Sequence, residues 1–536
     1  MKKNLKNNLS IIITSILLGI VTTFEYLIKT NPNKIKFLNN INFFILLIII
    51  ILLSFIYYFP LKYLIKKLSL INISHQNYND KQIKKIFIIS SISMFLIWLI
   101  CYITVFPGGG DYDTYYQLSA PGAASTQHPI VHSYLLNFFI VKLGYNILGS
   151  SIAGWAIFSF LQMCFIIFTL SYTICFLAKR NLNKYLIFSL IIIYTFIPIY
   201  ATYSLFAVKD VLFATILIYI FLLLIKLVET KGKILQNKKY VFLYIFLSTS
   251  LYFIRSNAFI IYILSTLAII IYYHKYLNKY FIIIFLIPIL LNYSVNKITS
   301  MRYHVKHYFQ ESMAIPLQQI SATVYTDGSL TEQEKDFINN LLTIEEIKAS
   351  YNPQTVDAIK WHSNFNREYL EANKLRFLKH WTTILVKNFD TYVESYALQT
   401  EGYWTISNLT SGKNMYYDTQ TGQTDGFVGR QKDEYDIYCD NLLPTNIQNK
   451  LENFYHEYTT FLSGGICFWL TIISMLVIIY KKKSAYLITY IPILSVWLSM
   501  MVAAPLASSE RYMFSFTLML PIIIAFSLNL KKENIN

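Results

Sequence analysis

Charge is scarce in this chain. Asp, Glu, Lys and Arg make up 14% of its 536 residues and hydrophobic residues 55%, and the apolar residues fall in blocks long enough to cross a hydrocarbon core about 30 Å thick. A soluble globule needs no such blocks, so a water-soluble fold is excluded. Cysteine is thin as well. Cys101, Cys164, Cys175, Cys439 and Cys467 show no CxxC spacing, and four lie in or beside apolar runs, which excludes a disulfide framework and a zinc knuckle. There is no P-loop, dinucleotide fingerprint, HExxH or GxSxG, so ATP-driven transport and zinc proteolysis by the usual motifs lack support. No internal repeat is present. Met1-Lys2-Lys3-Asn4-Leu5-Lys6 precedes an apolar run as in a secretory signal, but no small-residue cleavage site follows. The run is therefore read as a first span.

What charge there is leans positive, 46 Lys and Arg against 29 Asp and Glu. Of the 46, 24 fall in short loops between apolar runs: 2–6, 62–85, 179–184, 226–239, 275–279, 481–483 and 531–532. This is the signature of cytoplasmic loops, not of a nucleic-acid face. Reading the runs against these loops predicts an all-α polytopic membrane protein of about twelve spans, near 9–28, 41–59, 86–106, 150–177, 185–206, 211–228, 240–254, 258–273, 281–298, 460–480, 484–503 and 512–530. Both termini are then cytoplasmic. The run 129–148 is read as a helix at the outer interface, opened by Pro129, because a span there would push Lys179, Arg180 and Lys184 outside. The expected organisation is a transmembrane domain over 1–293 with an outer loop and interfacial helix at 107–149. An extracytoplasmic domain over 294–459 and closing helices over 460–536 follow. Segment 294–459 holds 15 basic and 21 acidic residues, as a solvated domain can. It reads as mainly helical, with a turn at Asp327-Gly328 and a capping box at Thr331-Glu332-Gln333-Glu334. Residues 364–389 carry helical periodicity, and 402–436 reads as loop with short strands.

This topology gathers the polar elements on one face. Pro107-Gly108-Gly109-Gly110 lets the chain turn as it leaves the membrane and presents Asp111 and Asp113 at the lipid–water boundary, where burial and neighbouring charge tune a carboxylate as a base. Read alone, the motif is equally a solvated turn. His128 and His132 are four apart and share a helix face. With Asp111 or Asp113 they are the one arrangement here that could hold a divalent ion, although His128 fits a cap or a hydrogen bond to a substrate phosphate or sugar hydroxyl better. Lys209 and Asp210 open a span, where Asp210 can cap the helix and Lys209 can snorkel, or Lys209 can neutralise an anionic headgroup. Arg255-Ser256-Asn257 and Glu510-Arg511-Tyr512 each stand at the outer end of a span. The planar fork of Arg matches phosphate oxygens, while Glu510 and Arg511 could instead pair with each other.

These residues resemble the GT-C superfamily of polytopic glycosyltransferases, the class that includes protein O-mannosyltransferases and the aminoarabinose transferase of lipid A. The resemblance rests on Asp111-Tyr112-Asp113 in an early outer loop, His128-Pro129 opening the next helix, Lys209-Asp210, Arg255-Ser256-Asn257 and the late Glu510-Arg511-Tyr512. An uncharacterised bacterial branch is similar in Ile315-Pro316-Leu317-Gln318-Gln319 and Gly402-Tyr403-Trp404. The resemblance implies a polyprenyl-phosphate sugar donor in a bacterial plasma membrane, and an envelope glycan, lipid or protein as acceptor. It further implies an inverting displacement with Asp111 or Asp113 as base, Asp111 being the marginal choice for its place beside the glycines. His128, Lys209, Asp210, Arg255, Asn257, Glu510 and Arg511 would bind substrate and phosphate, with no cofactor required. Outer-domain aromatics such as Tyr392, Tyr396, Tyr403 and Trp404 would be sugar-stacking candidates or core. A flippase or transporter, and a polymerase for lipid-linked saccharides, are the competing readings.

Overall fold

The computed structural model describes residues 2–31, 35–38, 41–71, 76–119, 128–277, 281–303, 309–406, 426–427, 437–459 and 462–531. Its first half runs α1 (Lys2–Thr30), α2 (Phe43–Leu70), α3 (Asp80–Thr104), β1 (Gly109–Gly110), α4 (Tyr112–Ser119), α5 (Ile130–Leu136), α6 (Ser151–Ala178), α7 (Lys184–Phe196), α8 (Pro198–Ser204), α9 (Lys209–Glu229), α10 (Lys238–Ile254), α11 (Ala258–Tyr273) and α12 (Phe281–Tyr303). Then come α13 (Ala314–Tyr325), α14 (Glu332–Asn339), α15 (Ile344–Ser350), α16 (Asp357–Lys360), α17 (Arg367–Ala372), α18 (Lys374–Lys387) and α19 (Phe389–Thr400). The chain closes with β2 (Gly426–Phe427), α20 (Thr445–Tyr458), α21 (Gly464–Tyr480), α22 (Ile491–Ala503) and α23 (Glu510–Asn529).

The protein is an all-α, multi-pass membrane protein. Among the described residues, eight helices are long and apolar enough to cross a membrane, and nine if α7 and α8, bent by 58° at Ile197, form one span. Every apolar run expected to span falls on helix. The larger number expected also counts α10, the Ile284–Thr299 stretch of α12 and α21, which are shorter. On α2 the residues Phe44, Ile48, Ile51, Leu52 and Phe55 are exposed, a large apolar surface that suits lipid and not water. In contrast α9 and α23 are mostly buried at the bundle centre. The run 129–148 forms α5 and then a π-helix from Asn137 to Ile147, packed on α6.

Between the spans lies a helical unit, α13 to α19, with its own apolar core that includes Leu317, Ile320, Phe337, Ile347, Phe377 and Ile384. Thr331 and Glu334 form the expected reciprocal cap of α14. Asp327 takes a left-handed φ of 53° at the turn before it. Tyr392 and Tyr403 are buried, and Tyr403 Oη donates to the Leu506 carbonyl, so these two aromatics are core. Of the expected strands in 402–436, Gly426–Phe427 pairs antiparallel with Gly109–Gly110, and 407–425 and 428–436 lie outside the described residues.

The unit meets the rest of the chain at several places, among them Tyr396 Oη on the Met501 carbonyl and Lys36 Nζ on the Thr326 carbonyl, and one of these seams leads to the site. Val356 N–H donates to the Pro505 carbonyl at 3.2 Å and Ala507 N–H to the Gln354 carbonyl at 2.7 Å. This short ladder joins the start of α16 to the turn between α22 and α23, immediately before Glu510-Arg511.

Candidate functional site

The site begins with a glycine turn. After α3 the chain passes through Gly108 at φ 122°, a conformation open to glycine and strained for other residues. A Cβ there would also stand 2.6 Å from the Leu205 carbonyl oxygen and against the Ser159 hydroxyl. The close approach lets Gly109 N–H donate to Leu205 O at 3.0 Å and Ala207 N–H to Gly109 O at 2.7 Å. Residues 109–111 thus run beside 205–208, the segment that enters α9. In this way the first aspartates are brought next to Lys209 and Asp210.

Asp111 then caps α4. Its Oδ1 accepts from the Thr114 N–H and hydroxyl, each at 2.9 Å, while Thr114 Oγ1 accepts from Asp111 N–H at 3.1 Å. The other oxygen, Oδ2, contacts Arg511. Arg511 is the hub of the site: Nη1 also lies 3.2 Å from Asp113 Oδ2, Nε lies 3.6 Å from Asp210 Oδ2, and Nη2 donates to Tyr512 Oη at 2.8 Å. Lys209 Nζ sits 3.1 Å from Asp113 Oδ2 and Arg255 Nη1 2.5 Å from Asp210 Oδ1. The Tyr512 ring lies beneath the Arg255 guanidinium at 5.3 Å. Three carboxylates and three cations from four separate segments therefore share one cluster.

Such a cluster is expensive to keep for stability alone, because each buried charge carries a desolvation cost of several kcal/mol that pairing only partly offsets. The pairing is also incomplete. Asp111 Oδ2, both Asp210 oxygens and Arg511 Nε lie in ionic contact yet make no properly oriented hydrogen bond. The three aspartates differ in freedom: the side chains of Asp111 and Asp210 are 2% and 1% exposed and that of Asp113 is 23% exposed. Burial works to raise the Asp113 pKa, but the Lys209 ammonium beside it, aided by more distant Lys360, brings it below the ordinary carboxylate value.

Beside the charges lies a neutral, hydrogen-bonded cluster. Gln117 Nε2 donates to the Asp113 carbonyl at 3.0 Å, so its Oε1 faces His132 Nδ1 at 2.8 Å and accepts from Ser133 Oγ at 3.1 Å. An amide oxygen only accepts, which makes His132 the Nδ1–H tautomer with its Nε2 lone pair free. Burial, with Lys209 nearby, pushes the His132 pKa down to about 3 and that of His128 to about 4. His128 packs against the Tyr116 ring at 5.2 Å. Both imidazoles are uncharged at neutral pH, so His128 suits a hydroxyl and contributes no positive charge to a phosphate.

Of the residues singled out from sequence, Asp111, Asp113, Lys209, Asp210, Arg255 and Arg511 meet directly, with His128 adjoining. Glu510 turns elsewhere, its Oε1 accepting from Thr517 at 2.7 Å. Asn257 stands before α11 and makes no side-chain cap there. Sequence reasoning missed Glu311, just before α13, and Lys360 of α16, whose charges act on the site. Lys360 Nζ lies 3.0 Å from Glu311 Oε2 and 2.9 Å from Asp357 Oδ1, and the fields of Glu311 and Lys360 both bear on Asp113. The only sequence signal was a lysine and an aspartate three apart in a short helix. Among the described residues no group of three or more His, Cys, Asp or Glu is placed to hold a metal ion.

A model of a family of unknown function, DUF6020, matches residues 115–536, and the chain belongs to that family. No curated protein and no solved structure matches the chain.

Proposed function

We propose, for this member of a family without assigned chemistry, that it is a membrane glycosyltransferase of GT-C type. It takes a sugar from a polyprenyl phosphate and passes it to a glycan, lipid or protein acceptor on the outer face of a bacterial plasma membrane. The observation that carries this reading is the meeting of Arg511, Lys209 and Arg255 with three aspartates at the ends of α9, α10 and α23. A lipid-linked sugar keeps its tail in hydrocarbon and its head in water, so its phosphate stops where such helices end.

Orientation follows from the far ends of the same helices. α9 has 21 residues, about 31 Å of helix and so close to a full hydrocarbon core. At its other end Glu229 pairs with Arg180 at 2.6 Å, Asn529 at the end of α23 donates to the Arg180 carbonyl, and Lys481 donates to the Leu528 carbonyl. These belong to the lysine-rich loops, which are cytoplasmic by the positive-inside rule. The site and the unit α13–α19 then lie outside. If α7–α8, α10, α12 and α21 also cross, the spans number twelve and both termini lie inside.

Chemically, Arg511, Lys209 and Arg255 hold the phosphate and stabilise the charge that gathers on it as the sugar leaves. The acceptor oxygen forms a bond to the anomeric carbon while the bond from that carbon to the phosphate oxygen breaks. The bonding pair leaves on the lipid phosphate, and the hydroxyl proton passes to a carboxylate. Asp113 takes that role better than Asp111, whose Oδ1 is committed to the helix cap. His128 and His132 offer neutral acceptors to sugar hydroxyls. The reading calls for no organic cofactor and no nucleic-acid partner.

A transporter places its polar groups near the bilayer midplane on broken helices. Here the break at Ile197 is flanked by Tyr194 and Tyr200, whose hydroxyls bond the Leu518 and Thr517 carbonyls, while the paired charges gather at helix ends. A polymerase using a lipid-linked oligosaccharide shares the chemistry and differs in the size of the donor. The test is reconstitution with radiolabelled polyprenyl-phosphate sugars, comparing Asp113→Asn and Asp111→Asn. Turnover should fall by at least about tenfold in Asp113→Asn with donor still bound, and unchanged turnover in both variants would end the general-base assignment. Cysteine labelling beside Asp113 and at Lys482 should report opposite sides.

A further inference from the structure

Asp113 is the one aspartate of the cluster whose carboxylate is held by cations and is also partly exposed. Asp111 is locked by the Thr114 N–H and hydroxyl, and Asp210 is sealed against Arg255. The Asp113 carboxylate, by contrast, meets Lys209 at 3.1 Å and Arg511 at 3.2 Å through a single oxygen. Gln117 bonds its backbone carbonyl and leaves the carboxylate alone. For Lys209, Asp113 is also the only hydrogen-bond acceptor within reach among the described residues. Lys209 and the Nη1 of Arg511 thus share one oxygen of a partly exposed carboxylate, a negative oxygen of the kind a phosphate also presents. Arg511 Nε, buried without a hydrogen bond and 3.6 Å from Asp210 Oδ2, is a further donor at this place.

We propose that Asp113 is an internal counter-anion which the phosphate of the incoming lipid displaces, taking over Lys209 and Arg511. The inference rests on the lipid-phosphate reading above and adds an order of events to it. Before displacement the two cations hold Asp113 ionised and weakly basic. After it the carboxylate stands next to a second anion with its cations engaged elsewhere, and a like charge at close range raises proton affinity. The base is then competent only when the donor is in place, and the donor binds before the acceptor. The charges of Glu311 and Lys360 also act on Asp113, and Lys360 is retained by Glu311 and Asp357.

The experiment measures binding, not turnover. The full chain is placed in phosphatidylcholine nanodiscs, and polyprenyl phosphate without a sugar is titrated against wild type, Asp113→Asn, Asp113→Ser and Arg511→Gln, with inorganic phosphate as a parallel arm. Removing a competing carboxylate should tighten lipid-phosphate binding by about tenfold or more in both Asp113 variants, since each pKa-unit equivalent of interaction is a factor of ten. Arg511→Gln should weaken it. Equal or weaker binding in both Asp113 variants, with wild type binding and Arg511→Gln failing to bind, overturns the displacement and leaves the phosphate-lipid reading standing. If neither wild type nor the Asp113 variants bind either anion, that reading falls and the displacement with it. Tightening for inorganic phosphate without lipid binding would keep the displacement and reassign the anion to a soluble phosphate. Agreement between Asn and Ser guards against a misfolded variant.

Discussion

Arg511 and Asp113 stand 398 positions apart in the chain, and the guanidinium of one meets the carboxylate of the other at 3.2 Å. The first comes from the last transmembrane helix and the second from the turn after the third. Their meeting closes the bundle on itself and supplies a geometry that mutation can probe.

Arg511→Lys keeps the positive charge and loses the fork that reaches Asp111, Asp113 and Asp210 at once. A point charge cannot serve three carboxylates in that arrangement. Sugar transfer is expected to drop by roughly a hundredfold, the scale of losing one preorganised donor at a developing anion. The change should fall mainly on kcat, with the protein still folded by thermal melting in detergent.

The buried histidines predict an acid-side loss of stability. In the fold His132 and His128 protonate at about 3 and about 4, against 6.5 for the free side chain. Between those values the unfolded chain binds more protons than the native one, so stability falls as pH drops from 6.5 toward 4. Melting temperature should decline through that window, and His132→Gln should flatten the decline. An unchanged slope in His132→Gln combined with His128→Gln would contradict the assignment.

Glu401 predicts the opposite sign. Its carboxyl is buried, accepts from Gln354 Nε2 at 3.0 Å, and is pushed up to about 7 by burial. The native state therefore holds a proton that the unfolded chain has lost from about 4.5 upward, and stability decreases as pH rises from there to about 7. Glu401→Gln keeps a neutral group and should raise the melting temperature at pH 8, by an amount worth up to about 3 kcal/mol. At pH 4 it should change little.

Gly108→Ala tests the turn that joins the two halves of the site. Its left-handed φ and the nearby Leu205 carbonyl leave no room for a methyl group, and strain of this kind costs about 1–3 kcal/mol. The variant should melt earlier and lose donor binding together, because Gly109 pairs with the segment leading into Lys209. Normal binding at lower stability would show that the ladder is not needed to place the cations.

Local chemistry made much of this legible. Apolar runs became helices because unpaired backbone groups are not tolerated in hydrocarbon, and the Thr331–Glu334 cap formed because both partners lie within one turn. Charged residues at helix ends stood out for the same reason, as a charge near a bilayer is costly unless placed for use. Their partners were hidden. Glu510 and Arg511 are neighbours in sequence, yet successive helix positions diverge by about 100°, so one turns to Thr517 and the other to the aspartates. The glycines that single out Asp111 in the sequence do not reveal that its Oδ1 caps α4. Lys360 was invisible for a topological reason: its position depends on pairing between 354–356 and 505–507, about which neither segment carries any sign.

That pairing has a consequence for how the molecule can vary. The ladder from Gln354 and Val356 to Pro505 and Ala507 makes the unit between the spans a splint for the loop that delivers Arg511, not a detachable accessory. The distal helices α14, α15, α17 and α18 are then free to change. The short stretch against 505–507 has to keep its length and its hydrogen-bonding backbone, so a grafted unit that lacks this seam would leave the arginine without its register even if every charged residue were retained.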